Sequence, residues 1–349
     1  MYIYGILNSN ASLHLSIPKD LLLEESESNG VVYTIPHQDI SALVRDSEIV
    51  DYTHMRKDIL ARLLIGHQTV IERVMTPQTT IIPMRLGTYA LDETEVKEIL
   101  NKGYNLIKQI FEKIRDRIEI DVAATFSDFD SVLKEIAQER EIKEFKEGLL
   151  ANPKGITVDD QMKIGFMVKK VLDEKREKYA FKIQDILKSV SIDYKQHELM
   201  DDKMVVNLAF LIDKAKQKEF YAKVEELNTE FAEKLNFRCV GPLPAYSFFT
   251  IEIKKMQFND VNLARKRLGI LEDRSSKDGI KKAFHRQVFI SHPDKNPDKP
   301  GIEKEYDEIM RSYNILLDYA QACEQVGKVC LIFNEDEFRK NAVLVKVRE

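Results

Sequence analysis

Residues 288–298 read VFISHPDKNPD, which places His292, Pro293 and Asp294 in a polar turn directly behind a run of cations. Between Arg274 and Lys299 there are seven Lys or Arg against three Asp. On a helical wheel of 276–290, Ile280, Ala283, Phe284, Val288 and Ile290 fall on one side, and Lys277, Lys281, Lys282, His285 and Arg286 take the opposite arc. The next helical pattern starts acidic, with Glu303, Glu305, Asp307 and Glu308. The chemistry this arrangement supports is recognition. A positive helix beside the turn suits a negative partner surface, where complementary charge sets encounter rate and register. On its own a basic helix face reads as a solvated face, and Pro and Asp are common turn residues. The surroundings decide what the turn is for.

The elements that must hold the turn follow from periodicity. Residues 260–269 and 276–290 read as helices, and a third fits 303–318, where Ile302, Tyr306, Ile309, Tyr313 and Leu316/Leu317 recur at helical spacing. The end, NAVLVKVRE, alternates like a strand. Upstream, MYIYGIL, VVYTIP and ISALVRDSEI read as strands, with a polar loop at 24–30 between the first two. Residues 54–75 place Ile59, Leu60, Leu63, Leu64, His67, Val70, Ile71 and Val74 on one face of an amphipathic helix. TTIIPMRLGTYA returns to strand character, a helix spans about 92–118, and IEIDVAATF is a further strand. This order predicts an α+β domain over 1–127, one sheet with helices on a face.

Residues 128–188 are mostly helical and charged, broken at NPKG (152–155). Two strands at 190–200 and 203–212 meet at a tight turn, Asp201–Asp202, and a helix follows at 214–235. Gly-Pro-Leu-Pro at 241–244 predicts a turn, with a strand at 246–254. The expected organisation is a helical segment plus a second α+β domain over 128–255, a small helical domain over 256–325, and a tail at 326–349 whose strand pairs with an earlier sheet.

Bulk properties exclude several classes. At 349 residues, 44% hydrophobic and 32% charged, the composition is that of an ordinary globular protein. A net charge of −5 gives no reason to expect nucleic acid or an anionic membrane as partner. Cys239, Cys323 and Cys330 form no Cys-x-x-Cys pair, so neither a disulfide framework nor a metal site is expected. MYIYGILNSN lacks the pattern of a secretion signal, and the longest apolar stretches, such as MVVNLAFLI at 204–212, are about half of what spans a bilayer. A cytoplasmic protein is expected. No Gly-rich phosphate loop or nucleophile elbow is present, and no cofactor is expected. His67 reads as a satisfied core histidine. His37 and Asp39 fit a capped turn better than a base and its orienter, since no nucleophile accompanies them. Arg85 and Glu72 read as a structural pair. The expectation is that the chain is not an enzyme.

Two resemblances sharpen this. The run ARKRLGILEDRSSKDGIKKAFHRQVFISHPDKNPD followed by EYDEIMRSYNILLD resembles a J-domain, the Hsp70-activating module of J-proteins. Leu-Gly-Ile at 268–270, Ile-Lys-Lys-Ala-Phe at 280–284, His-Pro-Asp-Lys-Asn-Pro at 292–297 and Tyr-x-x-Ile-x-x-x-Tyr at 306–313 match in order. The resemblance implies that His292, Pro293 and Asp294 form the trigger for ATP hydrolysis by a DnaK-type Hsp70. It implies docking charges at Lys281, Lys282 and Arg286, with Lys277 at the start of the same helix. His285 and Gln287 stand where the family has Arg and Leu, and Ser291 replaces the aromatic residue before the loop. Neither a Gly/Phe-rich linker nor four Cys-x-x-Cys repeats follow.

The segments VVYTIPHQDISALVRDSEI, LLIGHQTVIERVM, TTIIPMRLGTYA and LNFRCVGPLPAYSFFTIEI are similar to the spaced motifs of the gas vesicle protein L/F family, in that family's order. Its members are accessory components of gas vesicle formation with two α+β domains, and the resemblance implies association with the small hydrophobic shell protein and other vesicle accessory proteins. The implied fold is two α+β domains of ferredoxin-like type, then a small all-helical J-domain and a C-terminal strand. The implied function is a vesicle-associated assembly factor that binds shell protein and recruits Hsp70. The alternatives are a general Hsp70 co-chaperone with other clients, and a minor structural vesicle component whose J-like helices only pack.

Overall fold

Strand β1 (Tyr2–Leu7) is buried at every position, as a strand covered on both faces must be. It belongs to a computed structural model that describes residues 1–17, 30–50, 52, 54–76, 79–151, 156–295 and 300–347. The expected loop at 24–30 (apart from Gly30), the break at NPKG and residues 296–298 of the polar turn lie outside the described residues. The chain forms two compact units, one of residues 1–113 with 249–349 and the other of 114–248.

In the first unit β1 is followed by β2 (His14–Ser16), β3 (Val31–His37), β4 (Ile40–Arg45), helix α1 (Lys57–Val74), β5 (Ile81–Pro83) and helix α2 (Glu93–Ile114). The strands form an antiparallel sheet in the order β2-β3-β4-β1-β5. His67 is buried on α1, and its Nδ1 lies 2.6 Å from the Tyr2 hydroxyl and its Nε2 3.1 Å from the Met84 carbonyl. Burial lowers its pKa to about 4, so the neutral ring accepts from Tyr2 and donates to Met84. It is a core histidine. Asp39 accepts from Tyr104 Oη and Lys108 Nζ, both at 2.6 Å, which ties the β3–β4 turn to α2. Arg85 pairs with Glu252 at 2.9 Å, and Glu72 accepts from Gln68 instead. The expected Arg85–Glu72 pair does not form.

The second unit holds β6 (Arg117–Phe126), α3 (Phe129–Ile136), α4 (Arg140–Leu150), α5 (Val158–Lys188), β7 (Asp193–Gln196), β8 (Met204–Asp213), α6 (Gln217–Glu230), β9 (Leu235–Leu243) and the short α7 (Tyr246–Phe249). Its antiparallel sheet has the order β7-β8-β6-β9. Two expectations are corrected. The strand at 118–126 is not the last strand of the first sheet but a central strand of this one, paired with β8 and β9. The turn expected at 241–244 is replaced by β9 running through Pro242 to Leu243. An edge strand tolerates a proline because one row of its N–H groups has no ladder partner, and the β6–β9 register shifts between Glu119 and Asp121 beside it.

Glu119 of β6 is buried and accepts from the Ser247 N–H (2.8 Å) and hydroxyl (2.7 Å), while His197 Nε2 lies 3.0 Å from the same hydroxyl. Desolvation and the neighbouring Asp121 raise its pKa from 4.5 to about 8, so it is protonated at neutral pH. A folded-state value above the unfolded one means stabilisation that is complete below about 4.5 and lost as pH rises through about 8. Above about pH 6.5, where His67 is neutral folded or unfolded, thermal unfolding of wild type therefore shifts to lower temperature as pH rises through about 8. Glu119→Gln, which can keep both Ser247 contacts, flattens that slope. Parallel pH profiles for the two proteins would contradict the assignment.

The chain re-enters the first unit as β10 (Ile251–Lys255), α8 (Phe258–Arg267), β11 (Arg274–Ser275), α9 (Lys277–Ser291), α10 (Ile302–Gln325), β12 (Leu331–Ile332), α11 (Glu335–Asn341) and β13 (Val343–Val347). β13 pairs antiparallel with β10, and a parallel bridge from Ile251 to Met84 attaches this ribbon beside β5. Helix α2 crosses β13 closely at Gly103, where a Cβ would stand 2.8 Å from Val345 Cγ1. Among the described residues the fold is thus mixed α and β, with antiparallel sheets of five and four strands, two two-stranded ribbons (β10 with β13, β11 with β12) and a helical segment.

Candidate functional site

The three helices around the His-Pro-Asp turn share a core built from Val261, Ala264 and Leu268 of α8 with its C-cap, Ile280 and Ala283 of α9, and Ile309, Leu316 and Tyr319 of α10. Phe284 stacks on Tyr313 at 4.0 Å between ring centroids. The Ser276 hydroxyl caps α9 by accepting from the Gly279 N–H at 3.1 Å. The Leu-Gly-Ile connection depends on Gly269, whose φ of +74° lies in the left-handed region. Buried Arg265 secures the stretch after it, with Nη1 donating to the carbonyls of Leu271 and Glu272 at 3.2 Å.

At the end of α9 one expectation changes. Ile290, placed on the core side, is 63% exposed, and Ser291 is the buried residue. Eleven residues make just over three full turns, so position 291 returns over Ile280 while 290 points about 80° away from it. The Ser291 hydroxyl donates to Glu305 Oε1 at 2.8 Å, which joins α9 to α10.

His292 leaves the helix in extended conformation and a 3₁₀ turn spans Pro293–Lys295. The Asp294 N–H donates to His292 Nδ1 at 3.2 Å, which leaves the proton of a neutral ring on Nε2. The ring meets Tyr306 of α10 edge-on at 5.6 Å. The Asp294 carboxylate is 88% exposed, with an Oδ2 3.7 Å from His292 Nδ1. The loop therefore presents a projecting carboxylate next to an imidazole steadied by its own backbone.

Lys281, Lys282 and Arg286 are exposed on α9, and among the described residues no ion pair engages them. Lys277 differs, because its Nζ reaches Glu324 Oε2 of α10 at 3.0 Å. Lys295 lies 3.5 Å above the ring of exposed Phe289, a cation–π contact that adds an apolar element beside the basic face. Phe289 is not among the residues expected from the sequence. Its signal was position, since an aromatic eight residues after Lys281 falls on the cationic arc.

Comparison with known proteins matches both parts of the chain. The family described as "Gas vesicle synthesis protein GvpL/GvpF" matches residues 1–250, and "DnaJ domain" matches residues 266–322. Gas vesicle protein F of Nostoc sp. is 23% identical over 253 residues, covering 72% of this chain and 98% of that protein. Chaperone protein DnaJ of Salinibacter ruber is 43% identical over 51 residues, 15% of this chain and 13% of the relative. The crystal structure of gas vesicle protein GvpF from Anabaena sp. PCC7120 superposes with a TM-score of 0.55 at 23% identity, covering 71% of this chain and 96% of that one. The chain belongs to the gas vesicle synthesis protein GvpL/GvpF family and carries a DnaJ domain behind the family region.

Proposed function

We propose that this chain is an assembly factor that binds the gas vesicle shell protein and, through its DnaJ domain, brings a DnaK-type Hsp70 to it. The observation carrying this reading is the loop: Asp294 projects from the end of the helix that carries Lys281, Lys282 and Arg286, which no described residue neutralises. A small shell subunit exposes apolar surface and strand edges before it assembles, and both promote aggregation. Joining client binding and chaperone activation in one chain raises the local concentration of Hsp70 at that client. Residues 1–250, the family region, supply the client-binding part in this reading, and the relative named gas vesicle protein F supports it. The protein acts at the forming vesicle in the cytoplasm and works without cofactor or enzymatic chemistry of its own. Among the described residues no helix is long and apolar enough to cross a membrane.

The test couples two measurements: capture of purified shell protein by the full chain, and steady-state ATPase of Hsp70 with and without it. Capture with no ATPase stimulation favours the structural vesicle component, and stimulation with no capture favours the general co-chaperone. Within the basic face the effects should be unequal. Lys281→Glu with Arg286→Glu is expected to weaken Hsp70 stimulation about tenfold or more, since each reversal turns an attraction into a repulsion. Lys277→Ala, already paired with Glu324, should change it by no more than about twofold. Equal losses from both would contradict docking through the unpaired cations.

A further inference from the structure

Ser291 is the last residue of α9 and is 1% exposed, on the stripe where Ile280 and Ala283 are apolar. A buried hydroxyl costs stability unless it is hydrogen-bonded. A helical serine can satisfy itself by donating to the carbonyl four residues back, as Ser312 of α10 does to Glu308 at 2.8 Å. Ser291 instead reaches across to α10 and donates to Glu305 Oε1. Its acceptor stands in the first turn of α10, where the positive end of the helix dipole favours a carboxylate.

The next residue on each side makes a second contact. His292 follows Ser291, Tyr306 follows Glu305, and their rings meet edge-on at 5.6 Å. Farther from the loop the two helices are pinned by Phe284 on Tyr313 and by Lys277 with Glu324. Those contacts lie about two turns or more from the loop and leave its mouth free to shift. Ser291–Glu305 and His292–Tyr306 are therefore two adjacent rungs across that mouth. They differ in kind. A ring contact tolerates sliding, whereas a hydrogen bond has a set length and direction. The polar rung thus fixes the end of α9, and with it the His292 ring whose Nδ1 accepts from the Asp294 N–H at 3.2 Å.

We propose that Ser291 and Glu305 are positioning residues for the His-Pro-Asp loop, a polar clasp that keeps His292 and Asp294 in the arrangement an Hsp70 recognises. The proposal rests on the Hsp70 reading above. Neither residue has to touch the partner. Without the clasp the loop divides its time among several arrangements, and apparent affinity falls with the fraction that stays competent. Maximal stimulation is kept, because excess protein still supplies the competent arrangement.

The test titrates Hsp70 ATPase with the full chain and its variants, together with hydrogen exchange of the loop and thermal unfolding to confirm folding. Ser291→Ala is expected to raise the half-saturating concentration about fivefold or more at unchanged maximal stimulation, and to speed loop exchange. Ser291→Thr keeps the hydroxyl and should stay within about twofold of wild type. Ser291→Ala combined with Glu305→Leu should cost less than the sum of the two singles, since both remove the same bond. Stimulation by wild type with a half-saturating concentration indifferent to Ser291→Ala overturns the clasp and leaves the Hsp70 reading standing. Unchanged loop exchange, failure of Ser291→Thr to rescue, or additive losses in the double variant do the same. No stimulation by wild type overturns the Hsp70 reading itself, and the positioning role with it.

Discussion

Asp294→Asn is expected to fold as well as wild type and to leave Hsp70 ATP turnover at the rate of Hsp70 alone. The two halves of that result have separate causes. The Asp294 carboxylate is 88% exposed, and its nearest described charge partner is His292 at 3.7 Å. Replacing an exposed carboxylate by its isosteric amide changes stability by no more than about 0.5 kcal/mol. The loop keeps its shape, because its hydrogen bond comes from the Asp294 backbone N–H and its packing from His292 against Tyr306. What disappears is one projecting charge at the proposed Hsp70 contact, and losing one member of a desolvated charged pair costs about 2–5 kcal/mol. That is enough to remove stimulation under ordinary assay conditions. The measurement is steady-state phosphate release at saturating ATP, with unfolding curves for both proteins. Undiminished stimulation by the variant would take the loop out of the mechanism and leave the helices as packing.

The sequence displayed local features well and long-range ones poorly, and the reason lies in what each feature depends on. Helix α9 could be read almost to the residue because its Ser276 cap, apolar stripe and terminating Pro293 are all local signals. The same locality made the wheel misassign Ile290, since a one-residue error at the last turn exchanges a buried position for an exposed one. Helix α10 was expected to stop at 318, yet it runs to Gln325 because Tyr319, Ala320 and Cys323 continue its buried stripe under β12 and β13. The strand character of 118–126 was plain, but its sheet was not. Partners such as Leu211 for Glu119 and Arg238 for Ala123 are settled by register across about a hundred residues. The Glu119–Ser247 contact spans 128 positions and left no pattern in either segment. The candidate site was legible because its residues lie within one short stretch and project outward.

The largest stability effect expected is at Leu344, in a strand that alternation made visible but whose importance only packing reveals. Leu344 is fully buried among Leu316, Tyr319 and Phe338, in the same core that carries α8 and α9. Its strand is held from three directions. β10 pairs along its length, Gln325 of α10 bonds both the N–H and the carbonyl of Val345, and Asp318 of α10 bridges Lys254 and Lys346. Tyr319 adds a 2.6 Å bond to the Ile332 carbonyl. β13 therefore fastens the far half of α10 to the ribbon that Met84 joins to the first sheet. Deleting three buried carbons here leaves a cavity that rigid neighbours on both sides cannot fill, so Leu344→Ala should cost about 3 kcal/mol. The loss should centre on residues 251–347, and limited proteolysis of the variant should cut there first, before the sheet of residues 2–83 is attacked. Val329→Ala is the control, because a side chain 86% exposed has little burial to lose, and it should change stability by less than about 0.5 kcal/mol. Since the clamp joins the loop-bearing helices to the family region, Leu344→Ala should also separate the two proposed activities. Capture of shell protein would persist while its coupling to Hsp70 turnover falls with rising temperature, ahead of global unfolding. A Leu344→Ala protein as stable as Val329→Ala would mean that the strand does not fasten the DnaJ domain to the body.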